Sequence, residues 1–93
     1  MSSKLELIEK LLAHLEPIEL VIEDVSHKHS AHFEQKNDDI FPSHIKIFIT
    51  SKALEGLSLL ARHKLIVSSI KDAYNNGLHS AEIFAYTPKE SIT

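Results

Sequence analysis

His27, His29 and His32 stand within six residues of one another, His79 stands alone ahead of a later apolar run, and the chain holds no cysteine. Seven histidines in 93 residues is a high share. Imidazole is the commonest protein metal ligand and titrates near neutral pH, so the pattern points to metal ligation or proton-linked binding. Without thiols the chain has no cysteine nucleophile, no disulfide framework and no iron–sulfur site made from four cysteines of its own. Catalysis has little to build on. There is no Gly-x-Ser-x-Gly elbow, no glycine-rich phosphate loop and no His-Glu-x-x-His helix, and the only glycines, Gly56 and Gly77, fall in turns. An enzyme is not expected.

The elements that position these histidines follow from periodicity. Leu5, Ile8, Leu12 and Leu15 recur at helical spacing behind a Ser3/Glu6 capping box, and Pro17 ends that helix. Residues 18–25, Ile-Glu-Leu-Val-Ile-Glu-Asp-Val, are rich in branched apolar side chains and predict a strand. Residues 26–43 lose periodicity and predict a long functional loop carrying the three clustered histidines. Ile45, Ile47 and Ile49 alternate with Lys46, Phe48 and Thr50 in a second strand. After a turn at Gly56, Ser58 caps a helix whose apolar stripe reads Leu60, His63, Val67, Ile70 and Tyr74, with Arg62 and Lys64 turned away; Asn75, Asn76 and Gly77 stop it. A third strand over 79–86 and a short final helix from Pro88 complete the order α-β-β-α-β-α.

Three strands and their helices bury their apolar sides only by stacking the helices on one face of the sheet. The helix between the second and third strands is a crossover, so those strands run parallel. The expected fold is α+β: a two-layer sandwich on a three-stranded mixed sheet, one domain over 1–93. Hydrophobic residues at 43% and charged residues at 25% suit a folded domain. A net charge of −3 gives no support to binding nucleic acid by phosphate neutralisation. No apolar run approaches the ~20 residues of a membrane span, and the acidic N-terminal segment fits neither signal nor transit peptide. The expected setting is the cytoplasm or an organelle matrix, without membrane attachment.

In order and spacing, several segments together resemble the BolA family: residues 43–51, Ser-His-Ile-Lys-Ile-Phe-Ile-Thr-Ser; Leu54-Glu55-Gly56; Ser58-Leu59-Leu60; Arg62-His63-Lys64; and Gly77-Leu78-His79-Ser80-Ala81 through Tyr86-Thr87-Pro88-Lys89-Glu90. Upstream, Glu23-Asp24-Val25-Ser26-His27-Lys28-His29 is similar to the family's acidic segment ending in Ser-x-x-His. Two departures stand out: Leu54 and Leu57 replace the more usual Phe-Glu-Gly-Lys type of segment, and the loop from His29 to Ser43 is longer than in many relatives.

The resemblance implies a fold related to class II KH domains and an iron–sulfur ligand at His79. Its Ser-x-x-His spacing indicates His29 as the loop ligand, with His27, His32 and His63 as alternatives. It also implies that a 2Fe-2S cluster is shared with a monothiol glutaredoxin, which supplies its active-site cysteine together with glutathione. The absence of cysteine agrees, because two imidazoles leave the core without its usual thiolates. Arg62, His63 and Lys64 are the expected partner or nucleic-acid surface. His14 and His44 are expected to be structural, His14 as a cation near a helix C-terminus. The expected function is an iron–sulfur trafficking adaptor in iron homeostasis, monomeric when alone and heterodimeric with its glutaredoxin. The alternative is a DNA-binding transcriptional regulator with a modest basic surface of Lys46, Lys52, Arg62, Lys64 and Lys71, though without the Gly-x-x-Gly loop of a KH site.

Overall fold

The computed structural model describes residues 3–26 and 42–92. His27, His29, His32 and most of the expected loop lie outside these residues, and so does the side chain of Ser3, on which the expected capping box rests. The described elements are α1 (Ser3–Leu12), β1 (Glu19–Asp24), β2 (His44–Thr50), α2 (Leu59–Ser69), α3 (Lys71–Asn75), β3 (Ser80–Tyr86) and α4 (Pro88–Ile92). Single 3₁₀ turns follow α1 at Ala13–Leu15 and precede α2 at Lys52–Leu54.

The sheet order is β1-β2-β3, with β1 antiparallel and β3 parallel to the central β2. This is the expected mixed sheet with a helical crossover. Ile45, Ile47 and Ile49 alternate inward along β2 and are at most 2% exposed. They meet Ile8, Leu12 and Leu15 from the first helical segment and Ile66, Ile70 and Ala73 from the crossover, forming one core. Each isoleucine so buried contributes roughly 2 kcal/mol of transfer free energy, which fixes the register of β2, since a one-residue slip would put all three in water.

The crossover corrects two expectations. It is not one helix: α2 stops at Ser69 and α3 resumes at Lys71, with Ile70 between them at φ −101° and ψ 25°. The Ser68 and Ser69 hydroxyls both donate to the Leu65 carbonyl, at 3.0 and 2.8 Å, competing with the main-chain ladder where the helix breaks. Its buried stripe is also rotated. Arg62, Ile66, Ile70 and Ala73 face the core, whereas Leu60 is 63% exposed and His63 is exposed. The sequence carries two overlapping three-four series here, and the series containing the arginine is the one that turns inward.

Arg62 is tolerated inside because its fork is filled. Its Nε donates to the Leu57 carbonyl at 3.1 Å and one terminal nitrogen to the Ala85 carbonyl at 3.1 Å; both terminal nitrogens grip the Glu90 carboxylate, at 2.8 and 3.1 Å. Glu90 is also half of a capping box: the Thr87 N–H donates to its carboxylate at 2.9 Å, and the Glu90 N–H donates to the Thr87 hydroxyl at 3.4 Å. The guanidinium, followed by the Thr87 N–H, holds the Glu90 carboxyl down at about 2, and Glu90 in turn raises Arg62 above its usual range. One arginine thereby ties α2, β3 and α4 together.

Candidate functional site

His79 is set by the way the crossover ends. Gly77 takes φ +122°, a left-handed conformation that glycine adopts without strain. Its N–H donates to the Tyr74 carbonyl at 3.3 Å, and the Leu78 N–H reaches back to the Ala73 carbonyl at 3.1 Å, the paired bonds of a Schellman cap. Leu78 is buried at 4% exposure and anchors the turn. His79 follows at once and its side chain is exposed. Its N–H donates to the Ser43 carbonyl at 2.7 Å, and the next N–H, of Ser80, shares that acceptor at 3.1 Å. The imidazole therefore stands on backbone fixed from both directions.

Beside it stands His44, the first residue of β2, paired in register with Ser80. The His44 and His79 rings are stacked, with centroids 6.2 Å apart and planes 11° apart. The Ser43 hydroxyl shares a 2.8 Å hydrogen bond with His44 Nδ1, which orients that ring. His44 is thus more than a strand-entry residue.

Ser26 closes the same corner. Its hydroxyl accepts from the N–H groups of Ser43 at 2.8 Å and His44 at 3.1 Å and donates to the His44 carbonyl at 3.3 Å; its own N–H donates to an Asp24 carboxylate oxygen at 2.9 Å. Ser26 and Ser43, which lie 17 positions apart in sequence, are therefore held together next to His79. Chain connectivity follows: His27 comes directly after Ser26 in sequence and His29 three positions after it.

Among the described residues no group of three or more histidine, cysteine or acidic side chains could hold a metal ion. The described corner holds two stacked imidazoles, those of His44 and His79.

His63 is separate from this corner. It borders a groove of about 370 Å³ with Leu59, Phe84 and Tyr86, and a second of about 500 Å³ with Lys64, Val67, Lys71 and Tyr74. Phe84 lies five residues along the chain from His79, about 16 Å at strand rise, so His63 and His79 are not brought to one centre. Of the expected surface Arg62-His63-Lys64, His63 and Lys64 are exposed, but Arg62 is interior and offers its fork to no partner. His14 is structural as expected, its Nδ1 bonded to the Leu11 carbonyl at 3.0 Å and its Nε2 near the Ser69 hydroxyl at 3.3 Å.

The sequence reading missed the Thr87/Glu90 box, gave His44 only a structural role and carried Ser26 only as the serine of the Ser-x-x-His segment. The Thr-x-x-Glu spacing was a usable signal for the box. The hydrogen bonds of Ser26 had none, because its partners lie 17 and 18 positions away.

Comparison with known proteins bears on the family and on the fold. Residues 11–90 match the family of BolA-like proteins. "Protein BOLA1, chloroplastic" of Arabidopsis thaliana is 42% identical over 83 residues, 89% of this chain and 52% of that protein, so the chain spans about half of that relative's length. The solved structure of BolA1 from Arabidopsis thaliana superposes with a TM-score of 0.77 at 33% identity, covering 97% of this chain and 98% of that one. The "DNA-binding transcriptional regulator BolA" of Escherichia coli (strain K12) is 29% identical over 82 residues, 88% of this chain and 72% of that protein. No helix among the described residues is long and apolar enough to cross a membrane.

Proposed function

This chain belongs to the BolA-like protein family, and from that premise we propose that it is an iron–sulfur adaptor that shares a 2Fe-2S cluster with a monothiol glutaredoxin. His79 is its fixed ligand and His29 its loop ligand, with His27 and His32 as the other loop candidates. The observation that carries the reading is the exposed His79 imidazole on rigid backbone, beside the Ser26 neck from which the histidine-rich segment departs. The donor set fits such cargo: imidazoles with no cysteine anywhere in the chain. The partner supplies the thiolates, from its active-site cysteine and from glutathione.

What this chain's residues do follows from chemistry. The Schellman cap and the Ser43 carbonyl spare His79 much of the ordering cost of binding. Each ligating imidazole must shed its proton, so binding weakens on acidification. Histidine in place of thiolate also lowers the negative charge around the core, favouring a labile cluster suited to transfer or sensing in iron homeostasis.

The test is reconstitution of the full chain with a monothiol glutaredoxin, iron, sulfide and glutathione, followed by size-exclusion chromatography and visible circular dichroism. A coloured heterodimer with a spectrum distinct from the glutaredoxin homodimer is expected. Elution of all the colour with the homodimer overturns the proposal.

A second reading, DNA-binding regulation, is favoured by the similarity to the Escherichia coli DNA-binding transcriptional regulator and by Lys64 and Lys71 beside the His63 groove. Duplex-DNA binding that falls steeply with salt would support it; no binding at low salt would end it.

A further inference from the structure

Among the described residues the helices cover one face of the sheet, and the other carries a pattern unrelated to the histidine corner. Register sets Val21, Phe48 and Phe84 side by side across the three strands on that open face. The Phe48 and Phe84 rings stack with centroids 4.8 Å apart and planes 9° apart. Val21 keeps 48% of its surface exposed, and Tyr86, two residues beyond Phe84 on the same face, 40%. Solvated sheet faces are ordinarily polar, so an apolar row there marks a contact surface.

The charge around the row is one-sided. Glu23 and Glu82 flank Lys46 in the next row, and Glu19 pairs with Thr50 on the other side. Among the described residues of these strand rows, three carboxylates face one ammonium. That pattern repels phosphate, so nucleic acid is a poor occupant. A second copy of the chain would bring the same acidic rows together, and its only arginine, Arg62, is buried against Glu90. Guanidinium is the cation that both stacks on aromatic rings and forks onto carboxylates.

We infer that the open sheet face binds a protein partner presenting arginine side chains around an apolar residue. The apolar residue covers Val21 and Phe48, while a guanidinium stacks on Phe84 and pairs with Glu23 or Glu82. This surface is independent of the cluster-sharing proposal.

The ¹⁵N-labelled full chain is titrated with the blocked peptide Arg-Val-Arg-Leu-Arg, with the same peptide carrying glutamate for arginine, and with single-stranded DNA. Amide shifts centred on Val21, Phe48 and Phe84 are expected with the arginine peptide alone. Binding should weaken roughly tenfold in Phe84→Thr and in the double variant Glu23→Lys/Glu82→Lys, and be unchanged in Lys10→Glu on α1. The charge-reversal pair buries nothing new, so it reads the surface even should Phe84→Thr unfold. An equal response to the acidic peptide or to DNA, shifts confined to α2 and α3, self-association that displaces the peptide, or no shifts at millimolar peptide each overturn the inference.

Discussion

Replacing Arg62 with methionine should destabilise the fold by about 3 kcal/mol while leaving the exposed face of α2 unaltered. The Leu57 and Ala85 carbonyls each lose a hydrogen bond from a charged donor, worth about 1.5 kcal/mol or more apiece. Methionine keeps most of the aliphatic stem, so the cavity term is small. The Glu90 contact adds little, because its carboxylate is half exposed and screened by water. For a chain of this size each kcal/mol moves the melting temperature by about 4–8 °C, so a fall of roughly 12–24 °C is expected. Urea denaturation and thermal melting of Arg62→Met beside Lys64→Met give the comparison, with the exposed neighbour expected within about 0.5 kcal/mol of the parent. A loss below about 1 kcal/mol for Arg62→Met would refute the assignment of Arg62 to the interior tie.

Acid should act through the same tie. Glu90 titrates at about 2 when folded, below its ordinary range, so its contribution is complete above about pH 5 and is lost as pH falls toward 2; in melts across that window Glu90→Gln should show a shallower decline than the parent. Ser26→Ala should accelerate hydrogen exchange at the Ser43 and His44 amides by an opening free energy of about 1–3 kcal/mol, read by NMR, with the α2 amides unchanged. Ile66→Ala should cost about 2–5 kcal/mol and Leu60→Ala under about 0.5 kcal/mol in chemical denaturation, and equal costs would contradict the observed rotation of α2.

Much of the architecture was legible because β2 states its face in strict alternation, and because Pro17, Gly56 and Gly77 punctuate the chain where its elements end. The rotation of α2 was not legible. A rule that keeps arginine outside selects the Leu60-His63-Val67 stripe, whereas the Leu57 and Ala85 carbonyls together with the distant Glu90 make the Arg62-Ile66-Ile70 stripe stable. The break at Ile70 depends on two serine hydroxyls converging on one carbonyl, a contest that propensity does not register. At the histidine corner, position 79 stood out by type and context, whereas His44 joined it only through the parallel pairing of β2 with β3. The neck at Ser26 rests on contacts across the loop closure, which the local Ser-x-x-His spacing does not show.

The central claim is most directly tested by visible circular dichroism of the reconstituted complex with a monothiol glutaredoxin, comparing the parent chain, His79→Ala and His63→Ala. The parent and His63→Ala should both give the heterodimer spectrum, and His79→Ala should revert to that of the glutaredoxin homodimer. A heterodimer spectrum that survives His79→Ala, or one lost in His63→Ala, would contradict the account.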